Sequence, residues 1–206
     1  MIILDWNFQI PDAMAVDAYK AASSHFNKHG ALGTILTSSN GSDSGTYDFI
    51  VGFDNYAHFG QVDDAISSDE KFNQDMEEFF NATTWKYNNI SETLIHTLGP
   101  DPDPSIKHCV AAWTFSHKDI NKVISESEIY NDYWVSAGAD GASLQVNRGS
   151  DIGTYSFYVR FKNMHTYGKA QDALDGKGVW DKHEDFFSGM DWKKFNLMRM
   201  IEVDWD

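Results

Sequence analysis

His25 and His29 stand four residues apart, a spacing that puts both imidazoles on one face of a helix. A zinc site built on such a pair also wants a third ligand and often a glutamate between the histidines. The intervening Phe26-Asn27-Lys28 has neither, so no metal site is expected. The turn-rich residues 39–45 are not followed by Gly-Lys-Ser/Thr and sit between two strand-like runs, which is not a phosphate loop. Cys109, the single cysteine, lies beside Val110 in an apolar run and reads as a small buried hydrophobe; one cysteine also excludes an intrachain disulfide or a Cys-rich metal site. No Ser-His-Asp or Cys-His arrangement can be argued, and no catalytic residue is assigned.

Composition narrows the partners. A formal net charge of −15 over 206 residues argues against nucleic acid, which needs a basic face, and against docking on anionic lipid. Seven Trp and fourteen Phe supply large core side chains and could line an aromatic pocket. The N-terminus lacks a basic segment, a long apolar stretch and a small-residue cleavage site, and no apolar run has the length of a membrane span. A cytoplasmic location is the expectation.

These side chains must be placed by elements, and the elements occur twice. Gly41-Ser42-Asp43-Ser44-Gly45-Thr46-Tyr47-Asp48-Phe49-Ile50-Val51-Gly52-Phe53-Asp54-Asn55 returns as Gly149-Ser150-Asp151-Ile152-Gly153-Thr154-Tyr155-Ser156-Phe157-Tyr158-Val159-Arg160-Phe161-Lys162-Asn163. Trp6 and Phe8 match Trp113 and Phe115; Glu77, Phe79, Phe80, Trp85 and Lys86 match Glu184, Phe186, Phe187, Trp192 and Lys193. So many ordered matches indicate a duplication. Repeat 1 is set at residues 1–99, a proline-containing acidic linker at 100–106 and repeat 2 at 107–206.

Within each copy, Ile2, Leu4, Trp6 and Phe8 alternate as a half-buried strand, and Met14, Ala18, Ala22 and Phe26 recur at helical spacing up to Gly30. A strand at residues 34–38 and one through Tyr47, Phe49, Val51 and Phe53 form a hairpin. A second helix from Phe59 to Phe79 breaks near Ser67-Ser68, and a fourth strand covers residues 92–97. The second copy repeats this, with its second helix through Tyr167, Leu174 and Trp180 and its last strand from Leu197 to Val203. The order β-α-β-β-α-β is a ferredoxin-like unit, which covers one sheet face with its helices and leaves the other in need of a partner. The fold class is therefore α+β, with two tandem ferredoxin-like βαββαβ repeats packed as an internal pseudo-dimeric α/β barrel.

On this element order and hydrophobic pattern the chain resembles the dimeric α/β-barrel superfamily, which includes antibiotic-biosynthesis-monooxygenase-like domains, stress-responsive barrel proteins, haem-degrading monooxygenases and two-repeat chlorite-dismutase-like proteins. The resemblance covers both halves but no family motif. It implies a ligand held in the barrel interior. Strand alternation puts the matched aromatic residues on one face, under the helices, and the divergent residues on the other. The divergent set offers an asymmetric cavity lining: Asp5, Asn7 and Asp48 from one half, Thr114, Tyr158 and Arg160 from the other, with Arg199, Glu202 or His96 as further members. An arginine beside carboxylates either holds an anionic group or forms an internal ion pair.

The resemblance implies three functional readings. The first is binding of a small hydrophobic or aromatic molecule, with cofactor-independent monooxygenase-like or isomerase-like chemistry; Asn7, Trp6 and a second-helix histidine would be its trio, and no cofactor is required. The second is a non-catalytic stress or interaction protein. The third is a haem-binding barrel, for which His183 on the second helix of repeat 2 is the candidate axial ligand. Free sheet edges would support a homodimer.

Overall fold

The computed structural model describes residues 1–98 and 106–205. Of the linker at 100–106, all but Ile106 lie outside the described residues.

The first half runs β1 (Ile2–Gln9), α1 (Asp12–Lys28), β2 (Gly33–Gly41), β3 (Tyr47–Phe53), α2 (Tyr56–Ser67), α3 (Glu70–Ala82) and β4 (Thr84–His96). The second runs β5 (Cys109–Ser116), α4 (Ile120–Ser136), β6 (Gly141–Asn147), β7 (Tyr155–Phe161), α5 (Met164–Gly176), a 3₁₀ turn (Trp180–His183), α6 (Glu184–Phe187) and β8 (Asp191–Trp205). The repeated segment explains itself locally. Thr46 and Thr154 each donate a side-chain hydrogen bond to the carbonyl of the aspartate three residues earlier, at 2.7 and 2.6 Å, across a turn. Its last residues, Asn55 and Asn163, cap α2 and α5 by accepting from the amides of His58 and Thr166.

All eight strands close one antiparallel barrel in the order β1-β3-β2-β8-β5-β7-β6-β4. Each half contributes four strands in ferredoxin-like order, and the halves meet at two seams, β2 with β8 and β6 with β4. A closed sheet has no free edge, so the edge-based argument for a homodimer does not hold.

β4 and β8 begin earlier than the hydrophobic pattern indicates, at Thr84 and Asp191, because each serves both halves. Residues 84–92 pair with β1, and residues 91–96 cross to β6. Likewise β8 pairs with β5 and then continues along β2, each long strand carrying bulges on the way. The early parts are polar (Lys86, Asn88, Asn89), which hides them from an alternation reading. The second helix of repeat 2 ends at Gly176, and Trp180 lies in the 3₁₀ turn beyond it.

Matched glycines sit along the seams. A Cβ on Gly33 would lie 2.5 Å from the Trp205 Cα, and one on Gly41 2.3 Å from the Phe195 carbonyl oxygen. Their counterparts Gly141 and Gly149 meet the Thr97 carbonyl at 2.3 Å and the Ile90 amide at 2.6 Å. The glycines therefore recur because two backbones come together there.

Two apolar cores lie outside the barrel, between sheet and helices: one around Leu4, Phe26, Phe49 and Val51, the other around Phe115, Trp134, Phe157 and Val159. A third, smaller cluster of Val110, Ala112, Met198 and Met200 fills part of the barrel interior.

Candidate functional site

The inward-facing strand positions carry the six divergent residues, but they form two groups rather than one cavity. Asp5, Tyr158 and Arg160 line an interior cavity of about 160 Å³, together with His96. Asn7, Asp48 and Thr114 are tied into hydrogen-bonded clusters elsewhere on the inward face. The Asn7 amide donates to Asp48 Oδ1 at 2.6 Å and to Thr46 Oγ1 at 2.7 Å, while Ser39 and Thr37 donate to Asp48 Oδ2 at 2.7 and 3.1 Å. In the second half Thr114 and Ser156 share a hydrogen bond of 3.2 Å, and the Asn147 amide donates to Ser156 at 2.9 Å. Arg199 is exposed and, like Glu202, is absent from the cavity wall. Arg160 is paired with Asp140 at 3.6 Å.

Electrostatics single out Asp5. Burial, reinforced by the neighbouring Asp48, raises its carboxyl well above the usual carboxylate range, and Lys194 offsets this only in part. Its Oδ1 is buried without a hydrogen-bond partner. Asp48 is also raised by burial, but three donors favour its ionised form, so within this coupled pair the proton is held more firmly by Asp5 than by Asp48. Tyr87 and Tyr158 are pushed far up by burial and by Asp5, which keeps both hydroxyls neutral.

The larger cavities lie on the opposite sheet face, beneath the helices. In the first half a cavity of about 540 Å³ is walled by Trp6, Phe8, Phe49, Phe72, Phe80 and Trp85, with Ala18 and Ala22 of α1 leaving room between the rings. Trp6 stacks on Phe49 (centroids 5.7 Å apart, 9° between planes), and Trp85, half exposed, closes against Phe8 and Phe80. Asp63, Asn73 and Lys86 add polar groups to the lining. The second half repeats the arrangement with Trp113, Phe115, Phe157, Phe187 and Trp192, but its cavity is about 320 Å³. There Trp134 takes the place of Phe26 against the strand tryptophan, and Trp180 stacks on Tyr130 and meets Trp134 at a tilt. Larger rings fill the difference.

Sequence reasoning assigns these matched aromatics to packing under the helices and allows an aromatic pocket without placing it there. The available signal was the abundance of aromatic residues opposite small ones at 18 and 22. The oxygenase trio is not assembled: Asn7 points into the barrel while Trp6 points under the helices. His58 at the start of α2 hydrogen-bonds the Gly30 carbonyl at 2.8 Å.

His183 lies in the 3₁₀ turn. Its Nδ1 bonds Glu126 Oε2 at 2.7 Å, its Nε2 faces the Tyr133 hydroxyl at 3.4 Å, and Tyr130 and Tyr133 pack against the ring. It lines neither aromatic cavity, and no histidine among the described residues does. His183 therefore opens onto neither aromatic cavity, while a carboxylate on Nδ1 is the arrangement that leaves Nε2 as the ligating nitrogen of a histidine. His25 and His29 both bond Asp69 Oδ2, at 3.2 and 2.8 Å, which ties α1 to the start of α3; among the described residues no set of three or more His, Cys, Asp or Glu side chains is arranged to hold a metal ion. No described helix is long and apolar enough to cross a membrane.

No family model matches the chain, and no curated protein matches it. Solved structures do. A protein of Fusobacterium nucleatum subsp. nucleatum described as a candidate monooxygenase superimposes with a TM-score of 0.65 at 13% identity, covering 100% of this chain and 94% of that one. A dye-decolorizing peroxidase of Bacteroides thetaiotaomicron gives 0.58 at 10% identity, covering 98% and 92%. A heme-binding protein of Thermus thermophilus gives 0.55 at 9% identity, covering 97% and 90%. At such identities the likeness is one of fold. With eight strands in one closed antiparallel barrel and helices packed outside it, the chain has the fold of the dimeric α+β barrel superfamily, both halves being carried by a single polypeptide.

Proposed function

We propose that the protein binds a small, largely apolar aromatic molecule in the cavity beneath α1, α2 and α3. The observation that carries this reading is the 540 Å³ volume walled by stacked aromatic rings, well within the range of small-molecule sites. Flat rings offer a slot for a planar ligand of two or three fused rings, and the polar groups of Asp63, Asn73 and Lys86 suit a substituent such as a hydroxyl or carbonyl. The neighbour described as a candidate monooxygenase makes oxidation of such a molecule the second reading, in keeping with an electron-rich ring held in an apolar pocket.

Titration with 2-naphthol or anthrone, followed by quenching of tryptophan fluorescence, tests the binding. Saturable quenching with micromolar to sub-millimolar affinity is expected, lost in Ala22→Phe, which fills the slot. A folded Ala22→Phe variant that binds as well as the wild type overturns the reading. Oxygen uptake in the presence of anthrone separates turnover from binding alone. A Soret band on adding haem, abolished by His183→Ala, would favour the haem alternative.

A further inference from the structure

The cavity inside the barrel is separate from the aromatic one, and its chemistry differs. Apolar residues such as Ile3, Ile35, Met198 and Met200 form much of its wall, and Asp5 stands among them. Two buried polar atoms of cavity-lining residues have no hydrogen-bond partner: Asp5 Oδ1 and the hydroxyl of Ser143, a residue only 3% exposed. Buried polar groups are seldom left so, because each forfeits its hydration. Two on one cavity point to something that completes them.

The charges around Asp5 indicate what. Asp43, Asp48 and Asp151 act on it with the same sign, and among the described residues the cation that chiefly opposes them is Lys194. Lys194 is already engaged, 3.4 Å from Asp151 and 4.0 Å from Asp43 and seated over the Tyr87 ring. Asp48 has three donors, and Asp43 accepts from Asn196 and Tyr87 at 2.7 and 3.3 Å. Arg160, on the same cavity, pairs with Asp140. Asp5 is thus the carboxyl whose charge the protein leaves unmet.

We propose that the barrel interior is a second binding site, for a small primary ammonium carried on a short apolar stem, with the ammonium against Asp5. An arriving cation turns the repulsive surroundings of Asp5 into a favourable field. The Asp5 carboxyl then gives up its proton to solvent as the ammonium donates to it, and the stem lies on the isoleucine and methionine side chains. Ser143 offers a further acceptor on the same cavity. At roughly 30 Å³ per water in the liquid, the volume corresponds to about five waters, or an amine of six to eight heavy atoms.

The ligand class follows from charge and size together. An anion meets the carboxylates, and a neutral alcohol satisfies a hydrogen bond but leaves the field unchanged. Calorimetry and thermal melting of the full chain with hexylammonium, hexanol and hexanoate tell these apart. Hexylammonium is expected to bind at least about tenfold more tightly than hexanol, releasing protons at neutral pH, and hexanoate is expected not to bind. Asp5→Asn should erase the preference for the ammonium while keeping the fold, and Ile35→Phe, which narrows the cavity, should weaken both the amine and the alcohol. Ala22→Phe, which blocks the aromatic cavity, should leave hexylammonium binding unchanged, so the two sites fail or stand independently. Equal binding of hexylammonium and hexanol, binding of hexanoate, or the absence of any binding overturns the proposal, the last meaning that the cavity holds water alone.

Discussion

At the scale of single residues, the chain buries carboxyls in two different ways. Asp48 is satisfied by Asn7, Thr37 and Ser39, so its removal strands three buried donors. Asp48→Ala should cost about 2–4 kcal/mol, measurable by urea denaturation, because each unmet buried group loses its desolvation energy. Asp5 behaves oppositely. Its folded-state pKa is raised, so below the unfolded carboxylate value near 4 it is protonated in both states and costs nothing. As pH rises past that value the unfolded chain gains by ionising, and stability falls toward neutral pH. Asp5→Asn should therefore stabilise the protein at pH 7, read as a higher melting temperature, and change little at pH 3. A melting-temperature gain independent of pH would contradict the assignment of Asp5 as a buried neutral acid.

Among the elements, α3 is the wall of the aromatic cavity whose start is tied to α1 through a single carboxylate, Asp69. Asp69 caps it by accepting from the amides of Lys71 and Phe72, and also accepts from His29, Lys28 and His25 of α1. Those donors, His29 foremost, hold its carboxyl well below the usual carboxylate range. A depressed pKa contributes stability above the unfolded value near 4 that is lost as pH falls through the folded one. Asp69→Asn keeps a capping side chain but loses the ionic contacts. It should lower the melting temperature at pH 6, and the difference from wild type should narrow below about pH 4. Hydrogen exchange should show the amides of α3 opening first in this variant, because Phe72, Met76 and Phe80 are the side chains it holds over the cavity.

For the molecule as a whole, the seams decide whether one barrel forms. Gly141 combines a φ of +141° with the Thr97 carbonyl 2.3 Å from any added Cβ. Gly141→Ala should destabilise the protein by about 1–3 kcal/mol in chemical denaturation, since both the backbone angle and the close approach of the chain just after β4 resist a methyl group. The first half alone, residues 1–98, would expose the outer edge of β2 and the late part of β4, together with the inward face carrying Ile3, Ile35 and Ile50. Light scattering should find it self-associated rather than monomeric, two copies taking the roles that β6 and β8 play in the intact chain.

Much of this architecture is legible without coordinates. Alternation through Trp6 and Phe8, or Phe49 and Val51, sorts each strand into two faces because side chains on a strand have a period of two. The recurrence of a turn ending in Gly-Thr-Tyr, and of an asparagine cap after it, marks the same hairpin and helix start twice. These are local properties, and local order carries them. The inward direction of Asp5, Tyr158 and Arg160 follows from the same alternation. What only the tertiary structure decided depends on distances between elements far apart in the chain. It put Asn7 and Asp48 into a hydrogen-bonded cluster away from the cavity of Asp5, engaged His183 with Glu126, and extended β4 and β8 across both seams. It also left the first-half aromatic layer unfilled while Trp134 and Trp180 crowd the second. A cavity is a small difference between the volume that a fold encloses and the volume that its side chains occupy, and that difference is set by packing across the whole chain.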